Sequence, residues 1–191
     1  MTTSAFHAAP LNWGHGANAF EIFIEPTCPF CAKVIGKFEA LLATVDPDAV
    51  TVKLRLHSQP WHLFSGVATR CVLAASTLDH GRDRAWDVLK AIKEHREEFV
   101  LEHHATGTAR ERSVNGTLAL IERYSGIKLA DAFAQPELEG LMSWHAKYSR
   151  QNGIHVSPTF MVNGIVAPKL GSGDPIETWI AAIRDAAGNA Y

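Results

Sequence analysis

Phe20-Glu21-Ile22-Phe23-Ile24-Glu25-Pro26-Thr27-Cys28-Pro29-Phe30-Cys31 decides the fold, because it joins two stretches of different periodicity. Ala19–Ile24 is apolar and rich in β-formers, whereas Ala32-Lys33-Val34-Ile35-Gly36-Lys37-Phe38-Glu39-Ala40-Leu41-Leu42 repeats apolar residues at helical spacing. Two cysteines in C-x-x-C spacing at a helix start share its first turn, close enough to bridge. The first then faces backbone N–H groups that have no partner within the helix. Those donors and the positive helix end favour the thiolate of Cys28. Cys31, one turn further in, is expected to be more buried and to act as the resolving thiol. Pro29 suits the first helical turn, where its missing N–H would be unpaired anyway. A zinc half-site is the competing interpretation of the pair. A closed zinc site needs about four ligands, and no second C-x-x-C or C-x-x-H occurs, so the spacing favours redox chemistry.

Working outward, Val50-Thr51-Val52-Lys53-Leu54-Arg55-Leu56 alternates apolar with polar and reads as a second strand, beyond the turn signal Asp46-Pro47-Asp48. Strand, helix and strand form a β-α-β unit with parallel strands. From about Trp61 to Asn152 the pattern is helical, in Phe64–Ala75, Ala85–Ile92, Leu118–Tyr124 and Glu137–Trp144. Strand signals return in Pro158–Val162, then Asn163-Gly164 as a type I′ turn and Ile165-Val166-Ala167. Asp174 and Pro175 open a closing amphipathic helix, Ile176–Ile183, with Asp174 as its expected N-cap. The order is β-α-β, helices, β-β-α. The fold class is α/β, divided as residues 1–60 with 153–191 and a helical insertion over 61–152.

With 191 residues, 47% of them hydrophobic, the chain can bury a sizeable core. A net charge of -2 supplies no basic surface for nucleic acid or an anionic membrane, so partners are expected to be proteins or small thiols. No apolar run approaches the ~18 residues of a membrane span. Met1–Pro10 lacks a cationic and an apolar signal region, so a cytoplasmic location is the expectation. Three cysteines make no disulfide framework. Cys71 lies on an apolar helix and is expected to be a small buried hydrophobe.

These motifs resemble the thioredoxin superfamily and, given the helical insertion, its DsbA-like branch. The residues carrying the likeness are Cys28-Pro29-Phe30-Cys31 and Val156-Ser157-Pro158-Thr159-Phe160. The resemblance implies a cis-proline at Pro158 beside the active-site disulfide and backbone pairing of Ser157 with bound peptide. Pro29 and Phe30 join them as substrate-facing positions. It implies thiol-disulfide exchange on protein or small-thiol disulfides, with no cofactor beyond the Cys28–Cys31 disulfide. Electrons would come from glutathione or a thioredoxin system. The same layout resembles kappa-class glutathione transferases and chromene-carboxylate isomerases, which need no second thiol; a redox-sensing module without turnover is a third possibility. The chain departs from the branch in three ways. Phe30 stands where strongly oxidising members carry histidine, so a less depressed Cys28 pKa is expected. Ile22 replaces the buried acid that many members place six residues before the first cysteine, and the export signal is missing. Glu25, the nearest carboxylate, either relays protons for Cys31 or sits solvated at the strand end, the second being favoured.

Ten histidines invite metal hypotheses, but His95 and the His103-His104 pair are expected on solvated surface. His62 is a weak candidate for the active face. Trp61, Phe64, Trp86 and Trp144 are candidates for the core or for a groove beside the cysteines, core being the expectation for each.

Overall fold

The computed structural model describes residues 6–188. A five-stranded sheet runs in the order β1-β3-β2-β4-β5. Its centre is β2 (Asn18–Ile24), parallel to β3 (Val50–Leu56) and antiparallel to β4 (Thr159–Val162). Phe20, Ile22, Phe23 and Ile24 are all fully buried, as both faces of a central strand must be. β3 alternates buried and half-buried positions along its whole length, the pattern its sequence predicts. β1 (Asn12–Trp13), absent from the sequence-based expectation, adds an antiparallel edge to β3. At the other edge, β5 (Ile165–Val166) closes the hairpin with β4. Asn163 and Gly164 both have positive φ, the I′ geometry.

Helix α1 (Pro29–Thr44) buries Cys31, Val34, Ile35, Phe38 and Leu41, spaced three and four apart, against the sheet. Cys28 is its N-cap and Pro29 its first residue. Between β3 and β4 come α2 (Ser65–Ala75), α3 (Gly81–Glu94), α4 (Val114–Ser125), the short α5 (Ala130–Phe133) and α6 (Leu138–Gln151). Their apolar faces join those of the sheet and α1 in one continuous core. Ser113 caps α4 by accepting from the Gly116 N–H, and Gly126, at φ 70°, ends it in the left-handed conformation. Helix α7 (Ile176–Gly188) inserts Trp179 beside Phe20 and Phe160. Asp174 does not simply cap it. Its carboxylate accepts from the Gly171 N–H and closes the preceding turn, while its carbonyl accepts from Lys37 Nζ.

Helix α6 is tied to the sheet by a buried polar cluster. Arg55 donates to Glu21 at 2.6 Å, and the Tyr148 hydroxyl donates to the same carboxylate at 2.9 Å. The guanidinium lies 5.1 Å from the rings of both Trp144 and Tyr148. The tryptophans divide against expectation. Trp86 is buried, as is Phe64, but Trp61 and Trp144 are nearly half exposed. Trp144 stacks flat on Tyr148 and meets His145 edge-on.

Candidate active site

The C-terminal end of β2 and the N-terminus of α1 meet at Glu25-Pro26-Thr27-Cys28. Cys28 is 4% exposed and Cys31 is fully buried; both are free thiols. The Cys31 Sγ accepts from the Glu25 backbone N–H at 3.3 Å. Because Phe23 pairs with Thr159 across the sheet, the segment leading into β4 is carried up to the cysteines. The Cys28 Sγ lies 3.7 Å from the Ser157 carbonyl oxygen, and the Ser157–Pro158 bond is cis. The fold therefore gathers Cys28, Cys31, Ser157 and Pro158 at one end of the sheet. Pro29 and Phe30 are exposed on the first turn, with Lys33 Nζ 5.6 Å from the Phe30 ring centre.

The two thiols are pushed apart electrostatically. Cys28 is lowered to about 6, chiefly by the Cys31 thiol, with the Cys31 and Phe30 backbone N–H groups adding to the effect against the cost of burial. Cys31 is raised well above the ordinary thiol value by burial and by the neighbouring Cys28. An ionised sulfur, 4% exposed, beside a protonated, fully buried one is an arrangement that can attack a disulfide and then resolve the product. The value for Cys28 lies above the ≈ 3.5 typical of a strong oxidant and near the ≈ 7 of thioredoxin, in line with the expectation from Phe30.

Glu25 is not solvated at the strand end, contrary to the favoured expectation. It is fully buried. Both its oxygens lie 2.9 Å from the Thr27 hydroxyl. Burial pushes its pKa up to about 7, against hydrogen bonds from Thr27 and Ser65 that favour the charged form, and the Cys28 charge pushes the same way as burial. His62 closes the far side. Its Nδ1 is 3.6 Å from Glu25 Oε2 and 3.2 Å from the Thr27 hydroxyl. Burial, together with the charges of His104 and Arg96, lowers the His62 pKa. The His104 ring packs edge-on against His62 at 5.1 Å, and Arg96 donates to the Thr27 carbonyl. His104 is exposed as expected, yet it belongs to this wall. His95 is half-buried and stacks on Tyr124 at 3.6 Å.

Sequence reasoning undervalued Glu25 and His62 because helix α1 and strand β3 lie between them in the chain. The only local signal was a carboxylate three residues before Cys28. Trp61 and Leu63, on either side of His62, and Val156, beside Ser157, are exposed apolar side chains of the same neighbourhood in the chain. No group of three or more His, Cys, Asp or Glu among the described residues could hold a metal ion.

The fold is that of the thioredoxin-like thiol-disulfide oxidoreductases. The thioredoxin family model matches residues 16–182, and the chain belongs to that family, among its DsbA-like enzymes of the protein-disulfide oxidoreductase and isomerase type. It is 56% identical to a candidate protein-disulfide isomerase from Pseudomonas syringae, over 91% of this chain and 97% of that one, with a TM-score of 0.90. DsbA2 from Pseudomonas aeruginosa shares the fold at 19% identity and a TM-score of 0.67, covering 98% and 99% of the two chains. BdbD from Bacillus subtilis does so at 16% identity and 0.65, covering 97% and 100%. A comparison with curated proteins returns no match. The cytoplasmic location expected from Met1–Pro10 is corrected by these relatives. The DsbA-like neighbours DsbA2 and BdbD are periplasmic or extracytoplasmic, which conflicts with that expectation.

Proposed function

We propose that Cys28 and Cys31 exchange disulfides with protein or small-thiol substrates in a reductase or isomerase direction. The Cys28 thiolate attacks one sulfur of a substrate disulfide, forming a mixed disulfide and releasing a substrate thiolate that takes up a proton. Cys31 then gives up its proton and attacks the Cys28 sulfur, releasing the second substrate thiol and leaving Cys28–Cys31 oxidised by two electrons. A pair of thiols, from glutathione or a thioredoxin-type reductant, restores the dithiol. Isomerisation needs only the first step and its reversal at a different substrate sulfur.

The observation that carries this proposal is the lowered Cys28 thiol beside the raised, fully buried Cys31. Glu25, whose backbone N–H contacts the Cys31 sulfur and whose carboxylate is poised near neutrality, is assigned as the acceptor of the Cys31 proton. Ser157 and Pro158 are assigned to the substrate backbone, and the exposed Phe30 ring and Pro29 to its side chains. The buried, hydrogen-bonded Cys31 weighs against a glutathione transferase, which needs one thiol only.

The deciding experiment is Cys31→Ser with a disulfide-bonded peptide substrate. Exchange through both thiols leaves this variant trapped as a covalent adduct on Cys28, visible by mass, with turnover abolished. Continued turnover by the variant would transfer the assignment to a single-thiol enzyme.

A further inference from the structure

A cavity of about 280 Å³ lies where the end of β3 meets α2 and α6. Its polar lining comes from His57, Ser58, Thr69, Ser143, His145 and Arg150, and Leu56 and Met142 supply an apolar wall. Two of those polar groups have no partner. Thr69 is only 3% exposed and its hydroxyl bonds to nothing. A helical threonine usually satisfies itself on the carbonyl four residues back, as Thr44 does on Ala40 and Thr117 on Ser113. Thr69 does not. His57 Nε2 is likewise buried without a partner. Buried polar groups are rarely left so, and two in one cavity mark a polar site that water or a ligand would fill.

The charge of the site selects the ligand. His145 accepts from the Leu56 N–H through Nδ1 at 3.2 Å and is held neutral by burial, so its remaining ring proton is on Nε2, a donor. Arg150 is an exposed cation with no ion pair among the described residues; it and His155 both bear electrostatically on His57, whose ring also meets the His155 backbone in a hydrogen bond. No carboxylate lines the cavity. One guanidinium surrounded by neutral donors balances a single negative charge and repels cations.

We propose that this cavity binds a small organic acid through its carboxylate, with Arg150 as counter-charge and the Thr69 hydroxyl and His57 Nε2 as hydrogen-bond partners. The carboxylate belongs either to a free acid or to a thiol substrate extending from Cys28. The second source is open because Gln59, two residues beyond His57, donates to the carbonyl of His155 in the segment that carries Ser157.

Calorimetric titration of the reduced protein with succinate and with S-methylglutathione tests this. Neither probe can exchange disulfides, so the result is independent of the function proposed for Cys28 and Cys31. Saturable binding of at least one is expected, weakened about tenfold or more by Arg150→Gln and several-fold by Thr69→Val, as loss of a charge-assisted and a neutral hydrogen bond requires. Thr69→Val keeps the side-chain shape, and urea midpoints like that of the unmodified protein would show both variants folded. Tighter succinate binding identifies a free acid, and tighter S-methylglutathione binding identifies the thiol substrate. Absence of binding by both probes, or binding indifferent to both substitutions, overturns the proposal.

Discussion

Glu25 reaches Cys31 through its backbone and His62 through its side chain: its N–H donates to the Cys31 sulfur at 3.3 Å, and its Oε2 stands 3.6 Å from His62 Nδ1. A fully buried acid in that position ties the second cysteine to the wall built by His62, Thr27 and Arg96.

The first consequence is a pH-dependent burden on stability. Glu25 has a folded pKa of about 7 against an ordinary value of 4.5. Between those values the folded state binds the proton and the unfolded state does not, so stability falls as pH rises through that window and the penalty is complete above it. At about 1.4 kcal/mol per pKa unit, the full penalty is at most about 3 kcal/mol. Glu25→Gln removes the titration and can still accept from Thr27. Urea unfolding of both reduced proteins from pH 4 to 8 should show the variant gaining relative stability between pH 4.5 and 7 and levelling off above. A difference that does not change with pH would mean that Glu25 titrates normally.

Cys28 supplies the second. With its pKa lowered to about 6, iodoacetamide should alkylate it along a curve with a midpoint near pH 6, well below that of a free thiol. Because the Cys31 thiol is the largest stabiliser of that thiolate, Cys31→Ala should move the midpoint upward. An unchanged midpoint would assign the shift to the helix N-terminus alone.

What the chain reveals in advance follows from the range of the interactions. The C-x-x-C at the strand–helix junction, the three-and-four spacing from Cys31 to Leu41 and the strict alternation of Val50–Leu56 are local patterns, and the structure matches each. Asn12–Trp13 and Ala130–Phe133 are too short to carry a period. Burial of Glu25 depends on Pro26 and Thr27 turning back over it and on His62 arriving from beyond β3, which no window around the cysteines contains. Trp144 belongs to the same class. Its spacing on α6 is that of a core residue, but Arg55 from β3, together with Tyr148 one turn further along the same helix, fixes it as a stacked, half-exposed ring.

That cluster gives the third prediction. Glu21 is 4% exposed, and its carboxylate is held by Arg55 and Tyr148. Arg55→Met strands a buried carboxylate and should cost about 3–5 kcal/mol. Tyr148→Phe removes one hydrogen bond to a charged acceptor and should cost about 1.5–3 kcal/mol. Glu21→Gln made together with Arg55→Met should recover much of the larger loss, because the uncompensated charge is then gone. Denaturant midpoints of the variants measure all three. Equal destabilisation by the single and double changes would show that Arg55 acts through packing on Trp144, not through its charge.

Cys71 separates a buried thiol from a working one within the same molecule. It is fully buried on α2, and burial pushes its pKa up to about 12. At neutral pH the thiolate is then about one part in 10⁵ of the population, against a majority for Cys28. The thiolate is the nucleophile, so brief treatment of the native, reduced protein with a maleimide should give a single adduct at Cys28. Cys31 shares the protection of Cys71, being equally buried and shifted in the same direction. Unfolding in urea before labelling should raise the count to three adducts by mass spectrometry, one for each cysteine of the chain. A fast second adduct mapping to Cys71 in the folded protein would show that α2 opens on the timescale of the reaction and that this thiol is available for chemistry.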